Sequence, residues 1–181
     1  MNIFMIAETE EDVLSQSLDK NIELVPVNFR QNINQALGEC IKTSINLQLE
    51  YSVICLNKQL LSSLSESWLI ENLEKCFKLR CKILLFNADK IKTLVPISES
   101  FFWLDFFMNT SLFAIHKSIY ENLLIEIQKN KCPFTEILSN VTSNKLLIHP
   151  LLLAEQVTPE HFYLLHRMNR MMDKFKLLQE D

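Results

Sequence analysis

YSVICL, residues 51–56, is a short and nearly continuous apolar run. Such a run suits a strand buried on both faces, as when crossover helices cover a parallel sheet above and below. Residues 82–86, within CKILLFNAD, repeat the pattern. Between the two runs, Leu60, Leu64, Trp68, Leu69, Leu73, Cys76 and Phe77 follow helical spacing and predict a helix over 59–79. Upstream, Ile33, Ala36, Leu37, Cys40, Ile41 and Ile45 mark an amphipathic helix over 32–49. Residues 3–7 and IELVPV at 22–27 read as two more strands, the second placed at an edge because Pro26 lacks an N–H. Val13, Leu14 and Leu18 give a short helix over 10–18.

Beyond residue 90 the periodicity is weaker. Residues 90–100 suit a short helix cut by Pro96, and 101–107 a fifth strand. Ile115, Ile119, Leu123 and Ile127 recur every fourth residue and predict a helix. Strand and helix alternating in this way predict a three-layer α/β domain over residues 1–130, with a central five-stranded parallel sheet. Residues 131–157, with two prolines and many Ser, Thr and Asn, read as a connecting segment with one short helix near 134–138. A C-terminal amphipathic helix over 158–181 follows, with Thr158 as N-cap, Pro159 at its first position and Glu160 in its first turn. Leu164, Met168, Met171, Phe175 and Leu178 form a heptad-like seam on it. That seam, with Met172, is the expected interaction surface, because methionine adapts to varied partners.

Composition excludes several functions. The chain of 181 residues contains one glycine, Gly38, so the phosphate-cradling loops G-x-G-x-x-G and G-x-x-x-x-G-K-S/T are absent. A net charge of −4 without an extended basic face argues against nucleic acid as partner. Five cysteines, Cys40, Cys55, Cys76, Cys81 and Cys132, lie in core-like segments without a C-x-x-C pair, which suits small buried hydrophobes in a reducing cytoplasm. The start lacks the basic region of a signal peptide, and no apolar run approaches the ~18 residues of a membrane span. His116, His149, His161 and His166 form no H-E-x-x-H, and no G-x-S-x-G marks a nucleophile. Glu10, Glu11 and Asp12 suit an acidic first helical turn.

Ligands of open parallel sheets bind beyond the carboxyl ends of the strands, which directs attention to Glu8, Asn28, Asn57, Asn87 and Asp89. Across residues 1–130 the order of elements resembles the receiver domain of two-component response regulators. IFMIAETEEDVL is similar to its first strand and acidic pair, IELVPVNFRQNINQAL to its second strand and helix, YSVICLN to the phosphoacceptor strand, and ILLFNAD to its fourth strand. The resemblance places the acidic pair at Ala7 and Glu8, the phosphoacceptor at Leu56 or Asn57, and the switch hydroxyl at Asn87, followed by Ala88. It thus implies a flavodoxin-like pseudo-receiver whose phosphoryl chemistry is lost, with Glu8 the one candidate metal ligand.

The expected function is therefore a non-catalytic protein-interaction or regulatory module in signalling, cytoplasmic, without catalytic residues or cofactor. It would work with a protein partner, self-association included, and without membrane insertion. The alternatives are a structural subunit of a larger assembly, or a small-molecule-binding or enzymatic domain using the crevice at the strand carboxyl ends.

Overall fold

A computed structural model describes residues 2–7, 23–28, 32–129, 131–152 and 159–179. Among them the chain forms one eight-stranded sheet: β1 (Asn2–Ala7), β2 (Glu23–Asn28), β3 (Tyr51–Cys55), β4 (Ile83–Leu85), β5 (Leu94–Ser98), β6 (Phe101–Leu104), β7 (Leu112–His116) and β8 (Lys145–Ile148). The helices are α1 (Ile33–Asn46), α2 (Glu66–Lys78), α3 (Tyr120–Lys129), α4 (Phe134–Val141) and α5 (Pro159–Leu177), with 3-10 turns at Lys58–Ser63 and Lys117–Ile119.

The strand order is β2-β1-β3-β7-β4-β8-β6-β5. β1 pairs in parallel with β2 and β3, and β4 with β8, whereas β7 runs antiparallel between β3 and β4. β6 is antiparallel to β5 and β8. This is a mixed α/β sheet, and it corrects the expected five-stranded parallel one. A flavodoxin-like receiver has strand order 2-1-3-4-5, with its third and fourth strands adjacent. Here β7 separates them, with Tyr51 opposite His116 and Cys55 opposite Leu112.

The sheet alternates its side chains between two cores. Phe4, Ile54, Ile83, Phe113 and Leu147 face a layer built from α1, α3, α4 and α5. Ile3, Val53, Leu84, Ala114 and Leu146 face α2 and the first 3-10 turn. YSVICL thus behaves as a strand covered on both faces, as its composition predicts. Ser52 fits the buried run because its hydroxyl lies 2.6 Å from Ser44 Oγ on α1 and 2.7 Å from the Tyr120 hydroxyl on α3, while Ser44 donates to the Cys40 carbonyl. One chain of hydroxyls satisfies three buried polar groups that would each be costly alone.

Other expectations change in detail. The helix expected over 59–79 divides, because Ser65 accepts from the Trp68 N–H and starts α2 afresh. Residues 90–100 are not helical: Leu94–Ser98 pairs with Phe101–Leu104 as a hairpin. Ile115 belongs to β7, so the four-residue spacing from Ile115 to Ile127 joins the end of a strand to a helix. Residues 131–152 hold α4 and β8, the latter anchored by Lys145, whose buried ammonium donates to the Ser139 and Thr142 carbonyls at the end of α4. No helix among the described residues is long and apolar enough to cross a membrane.

Candidate functional site

β1, β2, β3, β4 and β8 share one direction, so their carboxyl ends lie on one edge of the sheet. β2 leads to α1 on one face, and β3 leads to the 3-10 turn and α2 on the other. Connections diverging to opposite faces open a crevice at that edge, where α/β folds place ligands.

The polar residues expected there are mostly engaged in holding the chain. Asn57 accepts from the Gln59 N–H and caps the 3-10 turn. Asn87 Oδ1 accepts from the N–H groups of Ser111 and Leu112, and the Asn87 carbonyl accepts from Thr110 Oγ1, fixing the entry to β7. Asp89 pairs through its backbone with Met108 and accepts from Asn109 Nδ2 at 3.1 Å, with its other carboxylate oxygen buried and unpaired. Lys90 and Asn109, beside that bridge, adopt φ of 48° and 51°. Asn28 closes β2. Glu8, Glu10, Glu11, Asp12 and Thr158 lie outside the described residues. No group of three or more His, Cys, Asp or Glu suited to a metal occurs among the described residues.

The C-terminal seam packs on its own domain. Leu164, Met168 and Met172 are buried against the sheet, with Met171 and Phe175 at the margin and Leu178 76% exposed. His149 lies 2.9 Å from Asn169 on the same helix.

A cleft of about 780 Å³ opens between α1 and the end of α3. Because α1 begins five residues after β2 ends, its amino end stands at the carboxyl edge of the sheet. Asn32, Asn34, Gln35, Glu39 and Lys42 line one wall, and Leu124, Ile127, Gln128, Lys131 and Cys132 the other, with Gly38 between them. Asn32 caps α1 by accepting from the Asn34 N–H at 2.9 Å. Asn34 is 9% exposed, and its Nδ2 donates to the Cys132 carbonyl, while its Oδ1 has no hydrogen-bond partner among the described residues. Neither Lys42 nor Lys131 forms an ion pair with an acid among the described residues.

Gly38 is buried in the middle of α1, yet a Cβ there would meet only Ile127 Cγ2 at 3.8 Å and Leu124 Cδ2 at 4.0 Å, ordinary contact distances. Packing therefore does not demand glycine at this position. Of the five free thiols, Cys132 alone is half-buried. Burial pushes Cys40 and Cys55 up to about 12, so these two are protonated and unreactive near neutral pH.

Sequence reasoning named Gly38 only to exclude phosphate loops and took Cys132 as core. It passed over Asn34, Lys42 and Lys131. The available signal was a lone glycine inside an otherwise regular amphipathic run.

No protein-family profile matches the chain, and no curated protein sequence does. Among solved structures, it is similar to 4-diphosphocytidyl-2C-methyl-D-erythritol synthase from Anaerococcus prevotii, at 13% identity and TM-score 0.48, covering 93% of this chain and 78% of that one. It is also similar to apo-UDP-glucose pyrophosphorylase, at 13% identity and TM-score 0.46, covering 84% of this chain and 64% of that one. Both are named as enzymes, and neither is a receiver. The pseudo-receiver, its signalling role and the expectation of a non-enzymatic chain are corrected together. The receiver match rested on strand ends, and the placement of β7 between β3 and β4 removes it. The non-enzymatic expectation rested also on absent glycine-rich, H-E-x-x-H and G-x-S-x-G motifs, whose absence leaves other kinds of enzymatic site open.

Proposed function

We propose that this chain is a small-molecule-binding domain of enzymatic type, with its ligand in the cleft between α1 and the end of α3. The supporting observation is Gly38. A glycine inside a helix costs about 0.5–1 kcal/mol relative to alanine, and here the surrounding space would accept the methyl group. A stability cost that packing does not require is expected where room is kept for a ligand. The cleft has the size and mixed lining of such sites, with apolar Leu124 and Ile127 beside a few amides and charges.

The test is a thermal-shift screen of the whole chain against polar metabolites, repeated on Gly38→Leu. A ligand that raises the Tm of the parent chain and not of the variant supports the proposal. A ligand that stabilises both chains equally, or a screen without any stabilising compound, overturns it.

A further inference from the structure

The end of α2 brings two thiols together. Arg80 adopts φ of 56°, its N–H donates to the Phe77 carbonyl at 2.9 Å, and the Cys81 N–H donates to the Cys76 carbonyl at 3.0 Å. These two bonds make a Schellman cap, in which the side chains joined by the longer bond frequently meet. Here both are cysteines. The Cys76 thiol is hydrogen-bonded to the Cys81 sulfur, and Cys81 Sγ donates to the Ile83 carbonyl at 3.0 Å. A disulfide needs Cα atoms about 4.4–6.8 Å apart, a span that two residues joined by a backbone hydrogen bond can meet. We infer that Cys76 and Cys81 are a peroxide-sensitive modification site, closing to a disulfide that staples the last turn of α2 to the chain entering β4. The pair lies in the layer opposite the cleft and acts whatever the cleft binds.

The two sulfurs take different parts. Cys76 is fully enclosed, and its hydrogen bond to Cys81, together with burial, pushes its pKa up, so it waits as a thiol. Cys81 is 6% exposed, in the turn beyond the helix, between the exposed Arg80 and the half-buried Lys82. It is therefore the sulfur that a small oxidant such as hydrogen peroxide reaches, with cations on both sides in the chain. The Cys81 sulfur attacks one peroxide oxygen and breaks the O–O bond, giving a sulfenic acid, while the departing hydroxide takes the thiol proton and leaves as water. The Cys76 sulfur then displaces the sulfenic oxygen, which leaves with the Cys76 proton as a second water, and the S–S bond forms. Two thiols lose two electrons and two protons, and one peroxide becomes two waters. Cys40 and Cys55, equally enclosed, have no thiol hydrogen-bonded to them among the described residues.

The test treats the folded full chain with hydrogen peroxide, in a Cys132→Ser background that removes the half-buried thiol, and follows it by mass spectrometry with mapping of the modified cysteines. The expected product is a loss of about 2 Da, reversed by reductant and mapped to Cys76 and Cys81. In Cys76→Ser the oxidation should stop at a sulfenic acid on Cys81, trapped by dimedone, with no mass loss. Arg80→Gly, which keeps the backbone conformation of the cap, should retain the rate of disulfide formation, whereas Arg80→Pro, which cannot adopt it, should slow that rate at least about threefold. If Arg80→Pro fails to fold, the comparison with Cys76→Ser decides. Absence of the mass loss, its mapping to other cysteines, or as much dimedone adduct on Cys81 with Cys76 present as without it overturns the inference. So does a disulfide that forms as fast in a folded Arg80→Pro chain, since mere nearness in sequence would then account for it.

Discussion

Asn34 Nδ2 donates to the Cys132 carbonyl at 2.9 Å, joining residues 98 apart in the chain. The bond ties the first turn of α1 to the segment between α3 and α4 and closes one end of the cleft. Asn34→Ala removes that bond, a loss of about 1 kcal/mol, but it also removes the idle Oδ1, whose burial is itself unfavourable. The two effects oppose each other. Urea unfolding is therefore expected to change by no more than about 1 kcal/mol, while maleimide reacts faster with Cys132 because the cleft end is released. A loss of about 3 kcal/mol or more would mean that Oδ1 has a partner in solution.

Gly38→Ala is expected to stabilise the chain by about 0.5–1 kcal/mol, because alanine restricts the unfolded chain and fits at ordinary contact distance from Ile127 and Leu124. A higher urea midpoint with an unchanged slope would establish this. A lower midpoint would show that α1 and α3 approach too closely for a methyl group.

Much of the sheet was legible because burial writes itself into composition. Ile3–Ile6, Val53–Cys55 and Ile83–Leu85 are apolar runs covered on both faces, and all three are strands. Their neighbours were not legible. LFAIH at Leu112–His116 is as apolar as a parallel strand, and nothing in such a run reports the direction of pairing. Lys145–Ile148 was hidden by a charged first residue, which is buried only because the end of α4 offers it two carbonyls. The cleft was harder still. Its walls come from residues 32–42 and 124–133, and the relation between them exists only after α1 and α3 pack together.

α5 contributes to the core through one stripe. Met168 is fully buried, and Met168→Ala should destabilise the whole chain by about 2–5 kcal/mol through lost contacts and an unfilled cavity. Leu178, 76% exposed, lies beyond that stripe, and Leu178→Ser should change stability by less than about 0.5 kcal/mol. Equal and small effects at both positions in urea unfolding would mean that α5 does not pack on the domain in solution.

His116 gives the fold a dependence on pH. Its ring sits 5.1 Å from that of Tyr51 and 5.7 Å from that of Phe77, and its Nδ1 accepts from the Ser118 N–H, while Nε2 is buried without a partner. Burial lowers its pKa below the ordinary 6.5, Glu50 opposes the shift, and Lys117 and Lys82 reinforce it. Between that lowered value and 6.5, the unfolded chain binds a proton that the folded chain does not. Stability therefore rises with pH through this window and is lost on acidification. The slope should flatten below the folded pKa, where both states carry the proton. His116→Asn keeps an acceptor for the Ser118 N–H but does not titrate, so its stability should vary less steeply across the same window. The comparison is of slopes in urea unfolding at a series of pH values, since the variant also loses ring contacts. Equal slopes for the two chains would remove His116 as the source of the dependence.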